Sequence, residues 1–398
     1  MNVVVMHQGR AASFLRADLA GSPFASHLPV QFLSMAQEDV FVIDRENPFP
    51  GQPASLTAEF VTGHALLVVA GDAWFSKAAL RMLVALIADK PDNRSLVHTG
   101  GQDAGDGKLQ KPLAAYLPAA DTVALLREYG LAFFSGSFAV LCHRLGNCEV
   151  IAAQFLDPVI PPVQIDNLLD LAILERRILY ERACAALLRG IRIRDPNRVF
   201  IRGDLHCGSG VEIEIDVIIE GKVTLGEGAK VGANSILINS TIGANTRVNP
   251  FSIIEDAVIG SNTFVGPYGR IRPGSRIGDF AQIGNFVEIK NSVVGSGSRI
   301  NHLAFVGDAT LETNVTIGAG SITCNHDGVG VSRTEIKAGV YVGSGCELVA
   351  PLSIGENATI GAGSTITEDV PAGKLVLARS RQMAVDNWVR PNKKLAEK

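Results

Sequence analysis

The sequence predicts an α/β domain followed by a parallel β-helix built from hexapeptide repeats. Three observations predict this fold class: a six-residue period, short apolar strands that alternate with helices, and one long helix between these two regions. From about residue 223 to residue 370, an aliphatic residue followed by glycine or a small residue recurs at six-residue steps, as at Ile271, Ile277 and Ile283. Helices and single strands repeat every 3.6 or two residues, whereas one flat face of a triangular β-helix coil takes six.

The alternative for this region is a β-sandwich of short strands. A sandwich predicts turns at intervals of about 8–12 residues rather than a fixed six-residue step. In a β-helix the aliphatic side chain points into the prism, and the glycine or small polar residue after it allows the chain to turn the corner. A single coil cannot bury its own apolar side, so stacked neighbours supply the core. The fixed step therefore favours the β-helix.

Composition limits the classes of function. The 398 residues leave room for two or three domains, and 47% hydrophobic against 19% charged residues predicts a large core. A formal net charge of −4 argues against a general nucleic-acid-binding protein. We expect no membrane span, because no apolar run reaches about 18 residues, and no signal peptide, because residues 1–6 lack a basic flank. The six cysteines show no C-x-x-C spacing, which favours reduced thiols in a cytoplasmic protein over disulfides or a zinc site.

Residues 1–165 have the pattern of an α/β domain. The stretches 2–6, 65–70 and 132–142 are predicted strands, and 77–87 and 121–129 are predicted helices. Ligands of open α/β sheets bind at the carboxyl ends of strands. Asp72 follows the second of these strands, so it is either a metal ligand or the cap of the next turn.

A long linker helix is predicted over residues 167–189, with Asp166 as its N-cap and Gly190 at its end. The β-helix domain follows over residues 191–378, and a basic tail covers residues 379–398. The hexapeptide period breaks between Ile322 and Val340, where the chain is polar and rich in glycine. Insertions into a solenoid form loops on one face, often the binding face.

Motifs from Glu175 onward carry a resemblance to a known family. The matching motifs are Glu175-Arg-Arg177, Arg194-Asp-Pro196, Arg202-Gly203, Val217-Ile-Ile-Glu-Gly221, Arg272-Pro-Gly274, Gly284-Asn-Phe-Val-Glu-Ile-Lys290, Gly307-Asp308, Gly318-Ala-Gly320, Ile322-Thr-Cys-Asn325, Leu348-Val-Ala-Pro351 and Trp388-x-Arg-Pro391. From about Ile165 the chain resembles the bifunctional bacterial UDP-N-acetylglucosamine pyrophosphorylase/glucosamine-1-phosphate N-acetyltransferase family. The resemblance implies a left-handed β-helix, a nucleotidyltransferase-like first domain, and a homotrimer with active sites between neighbouring β-helices.

The resemblance also implies an acceptor site. His302 stands where the family has its general base, and an imidazole suits the removal of a proton from an attacking amine. Arg272 and Lys290 match the cations that hold the sugar phosphate, and Asn325 matches a substrate-contacting asparagine. Judged without the resemblance, a lone histidine is more often structural, and cations on a solenoid edge are more often solvated.

A second group of residues matches the groove for the co-substrate acetyl-CoA. Ser344 and Ala362 stand at positions that line this groove, and Arg379 stands where it can meet a coenzyme phosphate. Glu288 also matches the family and either orients a neighbouring side chain or is a structural charge.

Four acceptor contacts depart from the family pattern. Phe305 and His326 each replace a tyrosine, Thr316 replaces an asparagine, and Val331 replaces a loop lysine for which Arg333 is a possible substitute. A site that hydrogen-bonds its substrate discriminates strongly through such polar groups. We therefore expect the chemistry to be kept, with a changed acceptor, a weaker activity, or both.

The first domain departs further. The family's glycine-rich phosphate loop corresponds here to His7-Gln-Gly-Arg10-Ala-Ala-Ser, which has one glycine and limits the approach of backbone amides to phosphates. Asp72 matches a metal-binding aspartate of the family, and Asp166 matches the position of its second metal ligand. The sequence therefore leaves undecided whether this domain binds Mg²⁺. We interpret the domain as a degenerate nucleotidyltransferase fold that does not turn over UTP.

The function predicted from the sequence is an acetyl-CoA-dependent N-acetyltransferase acting on an amino-sugar 1-phosphate in nucleotide-sugar and cell-envelope biosynthesis. We then expect its partners to be acetyl-CoA, the amino-sugar phosphate and further copies of this chain in a homotrimer. We expect no nucleic-acid partner. Two alternatives stay open: an enzyme that is still bifunctional and forms UDP-N-acetylglucosamine from UTP, or a non-catalytic trimer that binds a nucleotide sugar.

Overall fold

The computed structural model describes two compact units, Met1–Glu181 and Arg182–Lys398. The residues it describes are 2–6, 18–19, 22–23, 40–43, 66–70, 73–75, 77–98, 112–118, 121, 124, 148–152, 163–165 and 167–388. Several predictions fall outside them, namely Asp72, Asp166, the strand 132–142, most of the helix 121–129, the loop after the first strand and the last ten residues of the tail.

The first unit is α/β, as predicted. Its elements are β1 (Asn2–Met6), β2 (Asp18–Leu19), β3 (Ser22–Pro23), β4 (Val40–Ile43), β5 (Leu66–Ala70), β6 (Ala73–Trp74), α1 (Lys77–Asp89), β7 (Ser95–His98), β8 (Pro112–Leu117), β9 (Glu149–Ala152) and β10 (Val163–Gln164). Six strands form one mixed sheet in the order β4-β1-β5-β8-β7-β9. Helix α1 buries Leu80, Leu83 and Ile87, which share one face at helical spacing. The predicted strand at 2–6 and helix at 77–87 are confirmed.

Helix α2 (Leu168–Leu188) contains the boundary between the two units. Its N-cap is Asn167, whose Oδ1 accepts hydrogen bonds from the backbone N–H groups of Leu169 at 2.9 Å and Asp170 at 3.1 Å. The prediction that Asp166 caps this helix is therefore wrong by one residue, since asparagine satisfies the first N–H groups equally well. Gly190 follows the helix with φ +88°, which confirms its predicted role at the end.

The second unit is a parallel β-helix of short strands. These are β11 (Arg192–Ile193), β12 (Val199–Cys207), β13 (Glu212–Ile213), β14 (Val217–Leu225), β15 (Lys230–Val231), β16 (Ile236–Ile238), β17 (Thr241–Ile242), β18 (Arg247–Val248), β19 (Ile253–Glu255), β20 (Val258–Ile259), β21 (Phe264–Val265), β22 (Arg270–Ile271), β23 (Arg276–Ile277) and β24 (Gln282–Asn285). They continue with β25 (Glu288–Lys290), β26 (Val293–Val294), β27 (Arg299–His302), β28 (Phe305–Gly307), β29 (Ala309–Leu311), β30 (Thr316–Ile317), β31 (Ile322–Cys324), β32 (Thr334–Ile336), β33 (Tyr341–Val342), β34 (Glu347–Val349), β35 (Leu352–Ile354), β36 (Thr359–Ile360), β37 (Thr365–Ile366) and β38 (Leu375–Val376). A 3₁₀ turn at Pro196–Arg198 precedes β12.

The strands stack into three faces. The first face is an eleven-stranded sheet that runs from β11 through β24, β27 and β30 to β38. A seventeen-stranded sheet forms the other two, so that β22, β25, β28, β31 and β34 stack on the second face and β23, β26, β29, β32 and β35 on the third. Ile271, Ile277 and Ile283, one from each face, are all buried. The hexapeptide interpretation is confirmed, while the handedness stays a prediction from the resemblance.

The corners between faces use backbone conformations that few residues adopt. We call the turn from first to second face the first corner, and the turn from second to third face the second corner. At the first corner Phe251, Tyr268 and Phe286 have φ near +60° and stack with ring centroids 5.0 and 4.9 Å apart. Leu303, one coil above Phe286, continues this exposed ladder and directly follows His302. Left-handed φ is uncommon outside glycine, asparagine and aspartate, so neighbouring coils must hold these large side chains there.

Buried hydroxyl groups join the coils from inside. Thr246 Oγ1 donates to the carbonyl of Gly260 at 2.6 Å and accepts from the N–H of Thr263 at 3.1 Å. Thr263 Oγ1 repeats this pattern one coil above, donating to the carbonyl of Gly278 at 2.9 Å. These bonds satisfy backbone groups that would otherwise be buried without partners.

Among the described helices, none combines the length and the apolar composition that crossing a membrane requires.

Candidate functional site

The first corner presents an imidazole in a defined hydrogen-bonding state. Strand β27 ends at His302, which is exposed, and its Nδ1 lies 2.6 Å from Oδ1 of Asn285, one coil below. An amide oxygen only accepts hydrogen bonds, so Nδ1 of His302 carries the proton. In a neutral ring the lone pair is then on Nε2, which is the arrangement that a general base requires.

The coils above His302 bring the predicted coenzyme residues to the same corner. The carbonyl of His302 accepts from the N–H of Gly320, and the carbonyl of Ser344 accepts from the N–H of Gly363. Ser344 and Ala362 are exposed and lie two and three coils above His302. Because stacked strands are about 4.8 Å apart, the corner offers a track of roughly 14 Å from His302 to Ala362. Arg379 lies at the upper end of this track, where its Nη1 donates to the carbonyl of Ala362 at 2.8 Å.

The second face carries the predicted phosphate cations. Arg272 follows β22, and its Nη1 donates to Oε1 of Glu288 at 2.8 Å, so Glu288 orients this guanidinium. Lys290 lies on β25, the next strand, with its Nζ 3.9 Å from Oδ2 of Asp308. The three side chains of Arg272, Glu288 and Lys290 are about 40% exposed, which leaves the cations accessible to an anion.

Asp308 connects Lys290 to the predicted acceptor residue Asn325. Its Oδ2 accepts from Nδ2 of Asn325 at 2.6 Å, and its Oδ1 accepts from Nδ2 of Asn291 at 2.6 Å. Burial raises the pKa of Asp308, and the hydrogen bonds from the two asparagines lower it. The charges of Lys290 and Arg333 lower it further, so the pKa lies below the ordinary value of an aspartate. Asp308 is therefore a carboxylate at neutral pH.

The break in the hexapeptide period is a structured hairpin between β31 and β32, which confirms the predicted loop. His326 and Val331 form an antiparallel bridge across it. Oδ1 of Asp327 accepts from the N–H groups of Val329 at 2.8 Å and Gly330 at 2.7 Å. Nδ1 of His326 accepts from the N–H of Gly328 at 3.0 Å, so the proton of a neutral His326 ring is on Nε2.

Not every predicted acceptor residue lies on the second face. Phe305 is in register with Glu288 and close to Asn325, because a Cβ built on Gly307 would come within 3.0 Å of both side chains. Thr316 instead lies on the first face, between Arg299 and Tyr341 of neighbouring strands. Within one chain the structure therefore does not bring Thr316 and Asn325 to the same face.

The loop cation predicted as a substitute also differs from expectation. Arg333 donates from Nη2 to the carbonyl of Ala309 at 3.3 Å and to Oγ1 of Thr310 at 3.1 Å, both on the third face. Val331, at the position of the family's lysine, is 54% exposed. The described residues contain no group of three or more His, Cys, Asp or Glu side chains placed to hold a metal ion, and the predicted ligands Asp72 and Asp166 lie outside them.

Two residues of this site were not predicted from the sequence. Asn285 was part of the motif 284–290 and Asp308 part of Gly307-Asp308, but neither received a role. Each contacts its partner over 17 residues, which is the length of one coil. That spacing was the available signal. A shallow depression of about 310 Å³ also borders the first corner, lined by residues such as Phe264, Gln282 and Asn301 rather than by the predicted ones.

Comparisons with known proteins agree with the repeat and with the motifs. The family described as GMPPB C-terminal domain matches residues 201–294, and the family described as bacterial transferase hexapeptide (six repeats) matches residues 333–368. Among solved structures, the polySia-specific acetyltransferase NeuO aligns over 49% of this chain and 91% of its own, at 19% identity and a TM-score of 0.22.

Curated relatives share higher identity. The bifunctional protein GlmU of Methylibium petroleiphilum is 48% identical over 58% of this chain and 50% of its own length. GlmU of Albidiferax ferrireducens is 44% identical over 64% and 54%, and GlmU of Methylobacillus flagellatus is 42% identical over 71% and 60%. The chain thus spans about half the length of the curated relatives it matches. Over that shared part it is similar in sequence to the bifunctional GlmU proteins, which confirms the resemblance that its motifs carry.

Proposed function

We propose that the β-helix is an acetyl-CoA-dependent N-acetyltransferase whose acceptor is an amino-sugar 1-phosphate, either glucosamine-1-phosphate or a close relative. The observation that carries the proposal is the 2.6 Å hydrogen bond from Nδ1 of His302 to Asn285. It leaves Nε2 as a base on the corner that also carries Ser344, Ala362 and Arg379. The product belongs to nucleotide-sugar and cell-envelope biosynthesis.

His302 has one chemical task in this reaction. Its Nε2 takes a proton from the acceptor amine while the amine nitrogen attacks the thioester carbonyl carbon. The new C–N bond forms, the C–S bond breaks, and the coenzyme leaves as a thiolate that takes up a proton. General-base catalysis of this kind contributes about 10²–10⁴-fold to the rate.

Charged groups on the second face suit the acceptor's phosphate. The planar guanidinium of Arg272 is held by Glu288 at 2.8 Å, so its orientation is fixed before a ligand arrives. Lys290 adds a point charge on the neighbouring strand. Asn325 supplies a polar contact to the sugar or its amine.

The coenzyme groove follows the first corner. Ser344 and Ala362 are small and exposed, so a thin pantetheine chain can lie against the backbone there. Arg379 donates one hydrogen bond, from Nη1 to the carbonyl of Ala362. Within the part of the chain that the structure describes, its other N–H groups make no hydrogen bond, so they can bind a coenzyme phosphate, which a guanidinium does through two donors.

The changed acceptor contacts predict a change in preference rather than in chemistry. Phe305 offers no hydroxyl, and Val331 offers no charge near the loop. The neutral ring of His326 offers an Nε2–H donor at the exposed hairpin. A panel of amino-sugar 1-phosphates therefore tests the acceptor better than glucosamine-1-phosphate alone.

The decisive experiment measures thiol release from acetyl-CoA with this panel, using the wild-type protein, His302→Ala and His206→Ala. His206 is an exposed histidine on an early coil and serves as the matched control. We expect release with at least one acceptor, a loss of about 10²-fold or more in His302→Ala, and wild-type rates in His206→Ala. Equal rates in all three proteins would show that His302 is not the base.

The same preparation distinguishes the alternatives. A bifunctional enzyme releases pyrophosphate from UTP in the presence of Mg²⁺, and Asp72→Asn abolishes that release. Binding of a UDP-sugar with no turnover of either substrate set identifies a binding protein instead. We expect neither result.

A further inference from the structure

Asp308 lies beneath the acceptor residues and has a geometry that an ordinary corner residue does not need. It is only 5% exposed, and both carboxylate oxygens accept short hydrogen bonds from asparagine amides. Lys290 lies 3.9 Å away with its ammonium group directed at the same Oδ2 that Asn325 contacts. Asp308 thus touches two of the residues assigned to the acceptor.

The chemistry of a carboxylate decides which way the Asn325 amide faces. An ionised carboxylate only accepts hydrogen bonds, so Asn325 must direct its NH₂ group at Asp308. Its Oδ1 is then the group left for a ligand. A protonated or amide side chain at position 308 would not impose this direction.

We propose that Asp308 is a positioning residue of the acceptor site, which fixes Asn325 with its amide oxygen towards the acceptor and holds Lys290 beside it. The inference rests on the proposed acceptor roles of Asn325 and Lys290. It also defines the chemistry of the ligand at this point: the acceptor presents an N–H or O–H donor to Asn325, as an amino or hydroxyl group of a sugar does.

The backbone at this position allows a clean substitution. Asp308 has φ +49°, a conformation that asparagine tolerates as well as aspartate does. D308N therefore changes the hydrogen-bonding pattern without straining the corner. Asp256 occupies the same second corner with φ +43° but is exposed, so D256N is a matched control.

The test compares wild type, D308N, the double variant D308N/N325D and D256N in acetyl transfer. In D308N the new amide keeps its oxygen for Asn291 and presents an NH₂ group to Asn325, whose amide must turn over. We expect the KM for the acceptor to rise about tenfold, with kcat within about threefold. In the double variant, the new carboxylate at position 325 accepts from that NH₂ and again offers an oxygen to the acceptor. We expect KM to return to within about threefold of wild type.

A second readout does not depend on catalysis. In protein labelled with ¹⁵N-asparagine, we expect the hydrogen-bonded side-chain NH₂ of Asn325 to exchange slowly with solvent in wild type and in D256N, and fast in D308N. If wild type acetylates no acceptor, the proposed function fails, while this exchange still decides the role of Asp308. Unchanged Asn325 exchange in D308N overturns the inference, as does a double variant whose KM is no better than that of D308N.

Discussion

At the scale of single residues, the site depends on side chains that touch no substrate. His302 is exposed, so burial does not hold its ring, and the bond to Asn285 is what selects the tautomer. Asp308 orients the amide of Asn325 through a buried carboxylate. In both cases an oxygen that only accepts hydrogen bonds decides which group of its neighbour faces it: the protonated Nδ1 of His302 and the NH₂ of Asn325.

Removing the amide of Asn285 tests the first of these pairs. In Asn285→Ala the His302 ring loses its partner, so it rotates freely and exchanges tautomers. We expect kcat for acetyl transfer to fall about tenfold or more, with little change in the KM for acetyl-CoA. Steady-state kinetics measure this, with Gln282→Ala on the same strand as the control. An unchanged kcat would mean that Asn285 does not orient the base.

The lowered pKa of Asp308 predicts a pH-dependent contribution to stability. A group whose folded pKa is lowered stabilises the fold above its unfolded pKa of about 3.9 and loses this contribution as pH falls through the folded value. The difference in unfolding free energy between wild type and D308N should therefore be constant near neutral pH and shrink below about pH 4. Urea unfolding between pH 7 and pH 3 measures it. A difference that does not depend on pH would contradict the assignment.

At the scale of the element, one coil of the β-helix is a unit of register. Residues 17 or 18 apart contact each other on every face, as Asn285 and His302 do at the first corner and Ser261 and Asp279 do elsewhere. Between Ser321 and Cys346 this spacing grows to 25 residues, because the hairpin inserts there without disturbing the stack. The insertion thus adds a loop beside the acceptor residues while the core stays continuous.

The tight stacking of coils predicts which glycines are indispensable. A Cβ at Gly284 would lie 1.9 Å from the carbonyl oxygen of Asn301, a backbone atom that cannot move alone. We expect Gly284→Ala to destabilise the fold by about 1–3 kcal/mol and to lower activity, because the displaced strand ends at His302. Gly330→Ala, where nothing lies within 4 Å, is the control for thermal unfolding. Equal stability of the two variants would show that neighbouring coils shift easily.

The sequence predicted which helices and coils exist more accurately than the residues at which they begin and end. The six-residue period located the coils because burial of one aliphatic residue per face repeats at that step. Helix α2 was predicted to within a residue or two, but its cap was assigned to Asp166 rather than Asn167. Two adjacent residues of equal capping ability cannot be separated without the backbone geometry, since either side chain satisfies the first N–H groups.

At the scale of the whole molecule, the two units bury their apolar residues in different ways. The described part of the first unit includes a six-stranded mixed sheet, whereas the β-helix gains its core from neighbouring coils. One continuous cluster of buried, mostly aliphatic residues runs along these coils to Val370. Such arrays are stabilised by contacts between neighbouring repeats. Their long faces expose rows of side chains. Thr316 lies on the first face, whereas Asn325 directly follows β31 of the second face.

The resemblance predicts a homotrimer, in which residues on different faces of neighbouring chains can meet in one site. Light scattering coupled to size-exclusion chromatography should then give a mass three times that of the 42.1 kDa chain. Measuring acetyl transfer over a dilution series tests whether assembly matters, because activity per chain should fall where the mass falls. A fully active monomer would contradict the prediction of shared sites.

What the sequence determined by itself is the repeat, the helix before it, the inserted loop and the residue types of the candidate site. These follow from periodicity and from motifs, which are local along the chain. Only the tertiary structure decided that Asn285 meets His302 and that Asp308 meets both Asn325 and Lys290. The physical reason is that these pairs lie at or beside corners, one coil apart. At these corners the direction of each side chain depends on the positive φ angles of corner residues and on the register between stacked coils. The hexapeptide period carries no information about the φ angles or the register.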